Sequence, residues 1–185
     1  MPDEAEALGL LALLLLQDSR RDARIGADGR LVLLDEQDRT LWNRDAIAEG
    51  LHVLDRALAL RRPGPYQLQA AVAALHAEAA RSEETDWAQI ALLYDRLAEV
   101  RPSPVVELNR AVAVALAEGP ERGLELLADV ELPGYHLLHS ARADLLRRLG
   151  RHQQAAEEYQ AALECEMNAA DRAFLEGRLA EVTAA

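Results

Sequence analysis

The sequence predicts an all-α fold assembled from helices that pack in pairs. Apolar residues recur at helical spacing through almost the whole chain, whereas the period-two alternation of half-buried strands is nearly absent. The apolar stretches are separated by short helix start and stop signals: Ser103-Pro104, Gly119-Pro120, Pro133-Gly134 and Gly150. With 185 residues, 50% of them hydrophobic, there is material for the core of one ordinary domain or a short array.

The first helix is expected from Asp3 to Ser19. Its apolar run, Ala7 to Leu16, falls short of the ~20 residues of a membrane span, and the acids Asp3, Glu4 and Glu6 precede it where a signal peptide would be basic. It reads as a buried helix of a cytoplasmic protein with no membrane role. In "RIGADGRLVLL", Arg24 to Leu34, the pair Asp28-Gly29 suits the tight turn of a small β-hairpin, which must rest on the helices because an isolated hairpin is marginal. "DEQDRTLWNRD", Asp35 to Asp45, follows, and Asn43 is placed to cap a second helix with Ile47, Leu51, Leu54 and Leu58 on one face. "RRPGP" stops that helix, so residues 1–62 form an N-terminal helical subdomain with the hairpin.

From Tyr66 onward the helices come in pairs. In "ARADLLRRLGRHQQAAEEYQAALE", Ala143, Leu146, Gly150, Ala155, Tyr159 and Ala162 occupy the small and large positions of a tetratricopeptide repeat. "DWAQIALLYDRLAEVRP" repeats the second-helix half through Trp87, Ile90, Tyr94, Leu97 and Pro102, with Ile90 and Leu97 in place of alanines. A weaker middle copy runs from Val105 to about Glu131, and its Gly119 lies closer to Gly150 than the ~34-residue period of a regular array. Residues 66–185 are therefore expected to form three irregular tetratricopeptide-like pairs and a capping helix, with Asn168 at its start and Phe174, Leu175 and Leu179 facing inward.

Composition narrows the chemistry. The net charge is -12, and every one of the 20 basic residues is arginine. The absence of lysine removes the P-loop lysine, Schiff-base chemistry and a lysine general base. The acidity argues against direct nucleic-acid binding, which depends on neutralising phosphates. The clusters Arg20-Arg21-Arg24 and Arg147-Arg148-Arg151 are interspersed with acids and read as solvated helix faces. A single cysteine, Cys165, forms no internal disulfide and reads as a small filler near a helix end. No phosphate loop, nucleophile elbow or zinc-protease signature is present, so no enzyme activity, metal or cofactor is expected.

Five stretches, "LGLLALLLLQDSRRDARI", "GRLVLLDEQDRTLWNRDAIAEG", "RPGPYQLQAAVAALHAEA", "TDWAQIALLYDRLAEVRPSPVVELNRAVAVALAEGP" and "GYHLLHSARADLLRRLGR", together resemble the C-terminal extension of a group of bacterial extracytoplasmic-function (ECF) sigma factors. In that group a tetratricopeptide-type domain follows the two promoter-reading domains. The likeness extends over essentially the whole chain and is most specific in "DEQDRTLW" and "PSPVVELNRAVAVA". It implies a regulatory or scaffolding role in transcription initiation, through protein contacts with the sigma core in cis or with RNA polymerase. The alternative is a stand-alone adaptor that takes a peptide or protein in its concave groove, and a weaker third reading is a small-molecule sensor.

Two groups of residues are candidate partner contacts. Trp42 either plugs the junction of hairpin and helix, with Asp35, Asp38 and Arg39 as local caps and ion pairs, or joins Asp38 and Arg39 in a docking surface. On the first helices of the later pairs, Asn109 and Asp144 fall on the concave face, with Arg110, His136, His139 and Arg142 on the same helices. An amide can hold a peptide backbone and a guanidinium a carboxylate; the competing reading is that they satisfy neighbouring carbonyls and acids. His136 and His139, three residues apart, lack the further ligands a metal needs and read as polar packing.

Overall fold

A computed structural model describes residues 4–26 and 31–184. Among these, the chain forms α1 (Glu4–Asp18), α2 (Arg44–Ala59), α3 (Pro65–Glu78), α4 (Trp87–Val100), α5 (Pro104–Glu118), α6 (Pro120–Leu127), α7 (His136–Arg148), α8 (His152–Leu163) and α9 (Ala169–Ala184), with short 3-10 turns at Arg21–Ala23, Arg39–Leu41 and Ser82–Glu84. The all-helical class holds, and no strand forms among the described residues. The Asp28-Gly29 turn of the expected hairpin lies outside them. Of its arms, the Val32 amide donates to the Arg24 carbonyl at 2.9 Å. No helix among the described residues is long and apolar enough to cross a membrane.

The helix starts follow local rules. Asn43 Oδ1 accepts from the amides of Asp45 and Ala46, Ser103 Oγ accepts from Val106, and Asn168 Oδ1 accepts from Asp171, each satisfying donors that a first helical turn leaves open. α2 ends with Arg61 in the left-handed region at φ 52°, the conformation that closes many helices.

The described residues fall into two compact units, 4–26 with 32–102, and 103–184 with residue 31. In the first, α1 packs on α2 and α3, and α3 packs on α4. The core includes Ala12, Leu16, Trp42, Ile47, Val53, Leu54, Ala70 and Ala74. α1 is not buried all round, as its composition suggested. It turns a seam of small residues inward, Ala5, Gly9 and Ala12 with Leu16, and leaves Leu10, Leu11 and Leu14 exposed. Gly9 shows why: a Cβ there would meet the Gln67 backbone nitrogen and Cγ at 2.8 Å, so helix axes this close tolerate only hydrogen. Leu58, expected on the inner face of α2, is exposed, whereas Ile47 and Leu54 are buried.

In the second unit α5 packs on α6, α6 on α7, α7 on α8 and α8 on α9. Gly119 alone separates α5 from α6, so the two helices fold back on one another. At their contact a Cβ on Gly123 would lie 2.4 Å from the Ala115 Cβ and 3.0 Å from the Ala111 carbonyl oxygen. The α7/α8 pair closes on Ala143, Ala155, Tyr159 and Ala162, all fully or nearly fully buried. α9 contributes Leu175 and Val182 to the same cluster, and Phe174 and Leu179 pack at its edge.

Gly123→Ala is expected to lower the stability of the second unit by about 1–3 kcal/mol, because the added methyl overlaps a packed neighbour and a backbone oxygen. Gly177→Ala, in open space within α9, should instead add about 0.5–1 kcal/mol. Urea unfolding of the two variants beside the unmodified chain checks both signs.

Candidate functional site

The segment after residue 34 is built around inward and outward turns of the chain. Asp38 is exposed and its carboxylate accepts from the Thr40 hydroxyl at 2.6 Å and the Thr40 amide at 2.8 Å. Those bonds, the hydroxyl first, hold its pKa below the usual carboxylate value and start the 3-10 turn Arg39–Leu41. The turn sends Arg39 and Trp42 into the core and leaves Thr40 and Leu41 outside. One residue on, the Asn43 amide donates to the Ser19 carbonyl at 2.7 Å, which ties the segment to the end of α1.

Arg39 then reaches across to α3. Its Nη1 donates to the carbonyl oxygens of His76 at 2.6 Å and Ala79 at 2.5 Å. These lie at the C-terminal end of α3, where carbonyls lack partners within the helix and the helix dipole favours a cation. The guanidinium carbon stands 4.8 Å above the Trp42 ring, a cation–π geometry. Burial lowers the Arg39 pKa, and the carboxylates of Glu83 and Glu84 act in the opposite direction. Arg39 Nη2 and Trp42 Nε1 are buried without a hydrogen-bond partner, a cost set against those contacts.

The opposite end of α3 is closed from α1. Gly64 precedes the helix and supplies no side-chain cap. The Glu6 carboxylate takes that place, accepting from the amides of Tyr66 at 2.9 Å and Gln67 at 3.3 Å and from Gln67 Nε2 at 3.1 Å. An acid at the N-terminus and a base at the C-terminus, both from other elements, thus complement the dipole of α3. Glu6 had read only as an acid flanking an apolar run, and its 60-residue reach to Tyr66 leaves no local trace in the sequence.

His76, also unmarked in the sequence, packs its ring edge-on to Trp87 at 5.1 Å. Its pKa is pulled down to about 4, first by burial and then by the nearby Arg20 and Arg39 charges. Arg20 is itself lowered to about 10 by burial, with Arg24 and Arg39 adding to the effect.

In the second unit, Asn109 is exposed on α5 and Arg110 pairs with Glu107 at 3.1 Å. Of the α7 candidates, His139 and Arg142 are bonded to a neighbouring helix or its end, and His136 lies beside one with its Nε2 buried and without a hydrogen-bond partner. His136 Nε2 is 3.4 Å from an Asp171 oxygen of α9, and His139 Nδ1 is 2.7 Å from Glu158 of α8. Arg142 donates to the carbonyls of Leu127 at 2.7 Å and Val130 at 3.2 Å, closing the end of α6 much as Arg39 closes α3. Asp144 is engaged by Arg147 and Arg148 at 2.6 and 2.7 Å. Among the described residues no group of three or more His, Cys, Asp and Glu side chains is arranged to hold a metal. Of the eight candidates, Arg39 and Trp42 are interior, while Asp38 and Asn109 are exposed.

Residues 1–58 match a family described as "Family of unknown function (DUF6596)". The whole-chain comparison finds an uncharacterized protein of Rhizobium meliloti (strain 1021), 49% identical over 185 residues, covering 99% of this chain and 44% of the relative. The chain therefore spans less than half the length of the curated relative it matches. No solved structure matches.

Arg39→Lys is expected to destabilise the chain by about 2–4 kcal/mol in urea unfolding, since an ammonium has no planar face to lie over Trp42 and the shorter side chain cannot hold that position and reach the His76 and Ala79 carbonyls together. The depressed pKa of His76 gives a second expectation. The unfolded chain takes up the His76 proton near pH 6.5 and the folded chain near pH 4, so this contribution is intact above pH 6.5 and is lost as pH falls through that window. Unfolding midpoints between pH 4 and 7.5 should fall less steeply with acid in His76→Gln than in the unmodified chain.

Proposed function

We propose that this chain is the tetratricopeptide-like C-terminal extension of an ECF sigma factor and acts by contact with the sigma core or RNA polymerase. The observation that carries the interaction-module reading is the sequence of helix pairs closed by small residues. α5 and α6 meet at Gly123 and Ala115, and α7 and α8 meet at Ala143 and Ala155 with Tyr159 beside them. This reading takes α3/α4, α5/α6 and α7/α8 as its three irregular repeats and α9 as a capping helix. Such pairs present helix faces to a partner, and their contact residues need no catalytic geometry.

The sigma-factor assignment is supported by the resemblance of the stretches around "DEQDRTLW" and "PSPVVELNRAVAVA". A chain that spans 44% of a longer relative also suits one module of a larger polypeptide. On this reading the protein works in the cytoplasm, with the polymerase. The interior positions of Arg39 and Trp42 support a mainly structural task for "DEQDRTLW", with Asp38, Thr40 and Leu41 as its outer edge. Asn109 is the exposed amide of α5 that a partner backbone could engage.

The test is promoter-specific transcription by a sigma factor carrying this chain at its C-terminus, with purified core polymerase, with and without residues 1–185. A severalfold change in transcript is expected. An increase on removal would mean autoinhibition, and a decrease, with the sigma core still folded, would mean assistance to assembly. Equal transcription in both forms would contradict the proposal.

A further inference from the structure

The exposed side of α1 carries a second seam. Glu4, Ala7, Leu11, Leu14 and Asp18 are all exposed, and their spacing of three, four, three and four residues is that of a coiled-coil stripe. Leu11 is 44% and Leu14 58% exposed, and Leu10 beside them 36%. At the C-terminal end a groove of about 480 Å³ runs along Leu11, Leu14 and Leu15 to Arg21 and Arg24. Arg21 is paired with Asp18 yet 76% exposed, so its guanidinium has N–H groups left to donate to a second carboxylate.

The stripe is complementary to itself. About a two-fold axis midway between Leu11 and Leu14, an antiparallel second α1 sets Leu11 against Leu14 and Ala7 against Asp18, and brings Glu4 towards Arg21, which lies beyond the helix end but lines the same groove. Every such match occurs twice, as an isologous contact requires. The acid start of one α1 meets Arg21 of the turn that follows the other α1, and the leucines meet at the centre. A parallel arrangement would instead oppose Glu4 to Glu4 and Arg21 to Arg21. We infer that the exposed face of α1 is a homodimerisation surface on which a second copy of this chain docks antiparallel through Leu11 and Leu14, with Glu4 and Arg21 fixing the direction. This goes beyond the sigma-factor reading and does not rest on it, since both the surface and its partner lie within this chain.

One helix face makes a small interface, so the dimer is a reversible one that concentration controls. Sedimentation equilibrium of the purified chain over the micromolar to ~1 mM range tests it. A monomer–dimer equilibrium is expected, and Leu14→Glu should abolish it while leaving the circular dichroism and urea midpoint close to those of the unmodified chain. Glu4→Arg and Arg21→Glu, each alone, should weaken the dimer roughly tenfold or more by setting like charges opposite one another at both ends. Mixed in equal amounts, the two variants should recover the unmodified affinity, because a heterodimer restores opposite charges at both ends. A chain that stays monomeric throughout the range overturns the inference. So does a dimer indifferent to Leu14→Glu, or a mixture that fails to recover.

Discussion

Helix α3 is held at both ends by charges that come from elsewhere in the chain. Glu6 of α1 accepts the first amides, Arg39 of the segment before α2 donates to the last carbonyls, and each sign suits the end it occupies. These contacts fix more than one helix. Glu6 determines how α1 lies on α3, and the small seam of α1, with Gly9 against Gln67, makes the approach close enough for the carboxylate to reach. Arg39 in turn fixes the turn that carries Trp42 into the core, while Asn43, next in line, bonds back to Ser19 and starts α2. α1, α2 and α3 are thereby registered against one another by a few polar contacts laid over an apolar core.

The chemistry of the site residues follows from that arrangement. The Arg39 guanidinium is engaged with the end of α3 and the Trp42 ring, so "DEQDRTLW" turns these two side chains inward and leaves Asp38, Thr40 and Leu41 outside. Arg142 repeats the device in the second unit, where it closes α6 while His139 links α7 to α8. Arg39 reads from sequence as part of a docking surface or a local ion pair and Arg142 as a residue of a groove helix, because a sequence shows the donor and not the carbonyl that will receive it.

Legibility tracked sequence distance. Caps at Asn43, Ser103 and Asn168, the breaks at "RRPGP" and Gly119, and the buried Ala143, Ala155 and Tyr159 were readable because each rests on neighbours within a turn or on helical period. Glu6 to Tyr66 and Arg39 to His76 span 60 and 37 residues and obey no local rule. Hydrophobicity also misled at α1. The larger leucines suggested burial, but close packing selected the small residues for the interior and left Leu11 and Leu14 outside.

The most direct test of this account is amide hydrogen exchange, followed by mass spectrometry, in the unmodified chain and in Arg39→Gln. If Arg39 locks α3 to the rest of its unit, protection should fall along α3 and α1 together, well beyond the substituted turn. Faster exchange confined to residues 35–43, with α1 and α3 as protected as before, would contradict it.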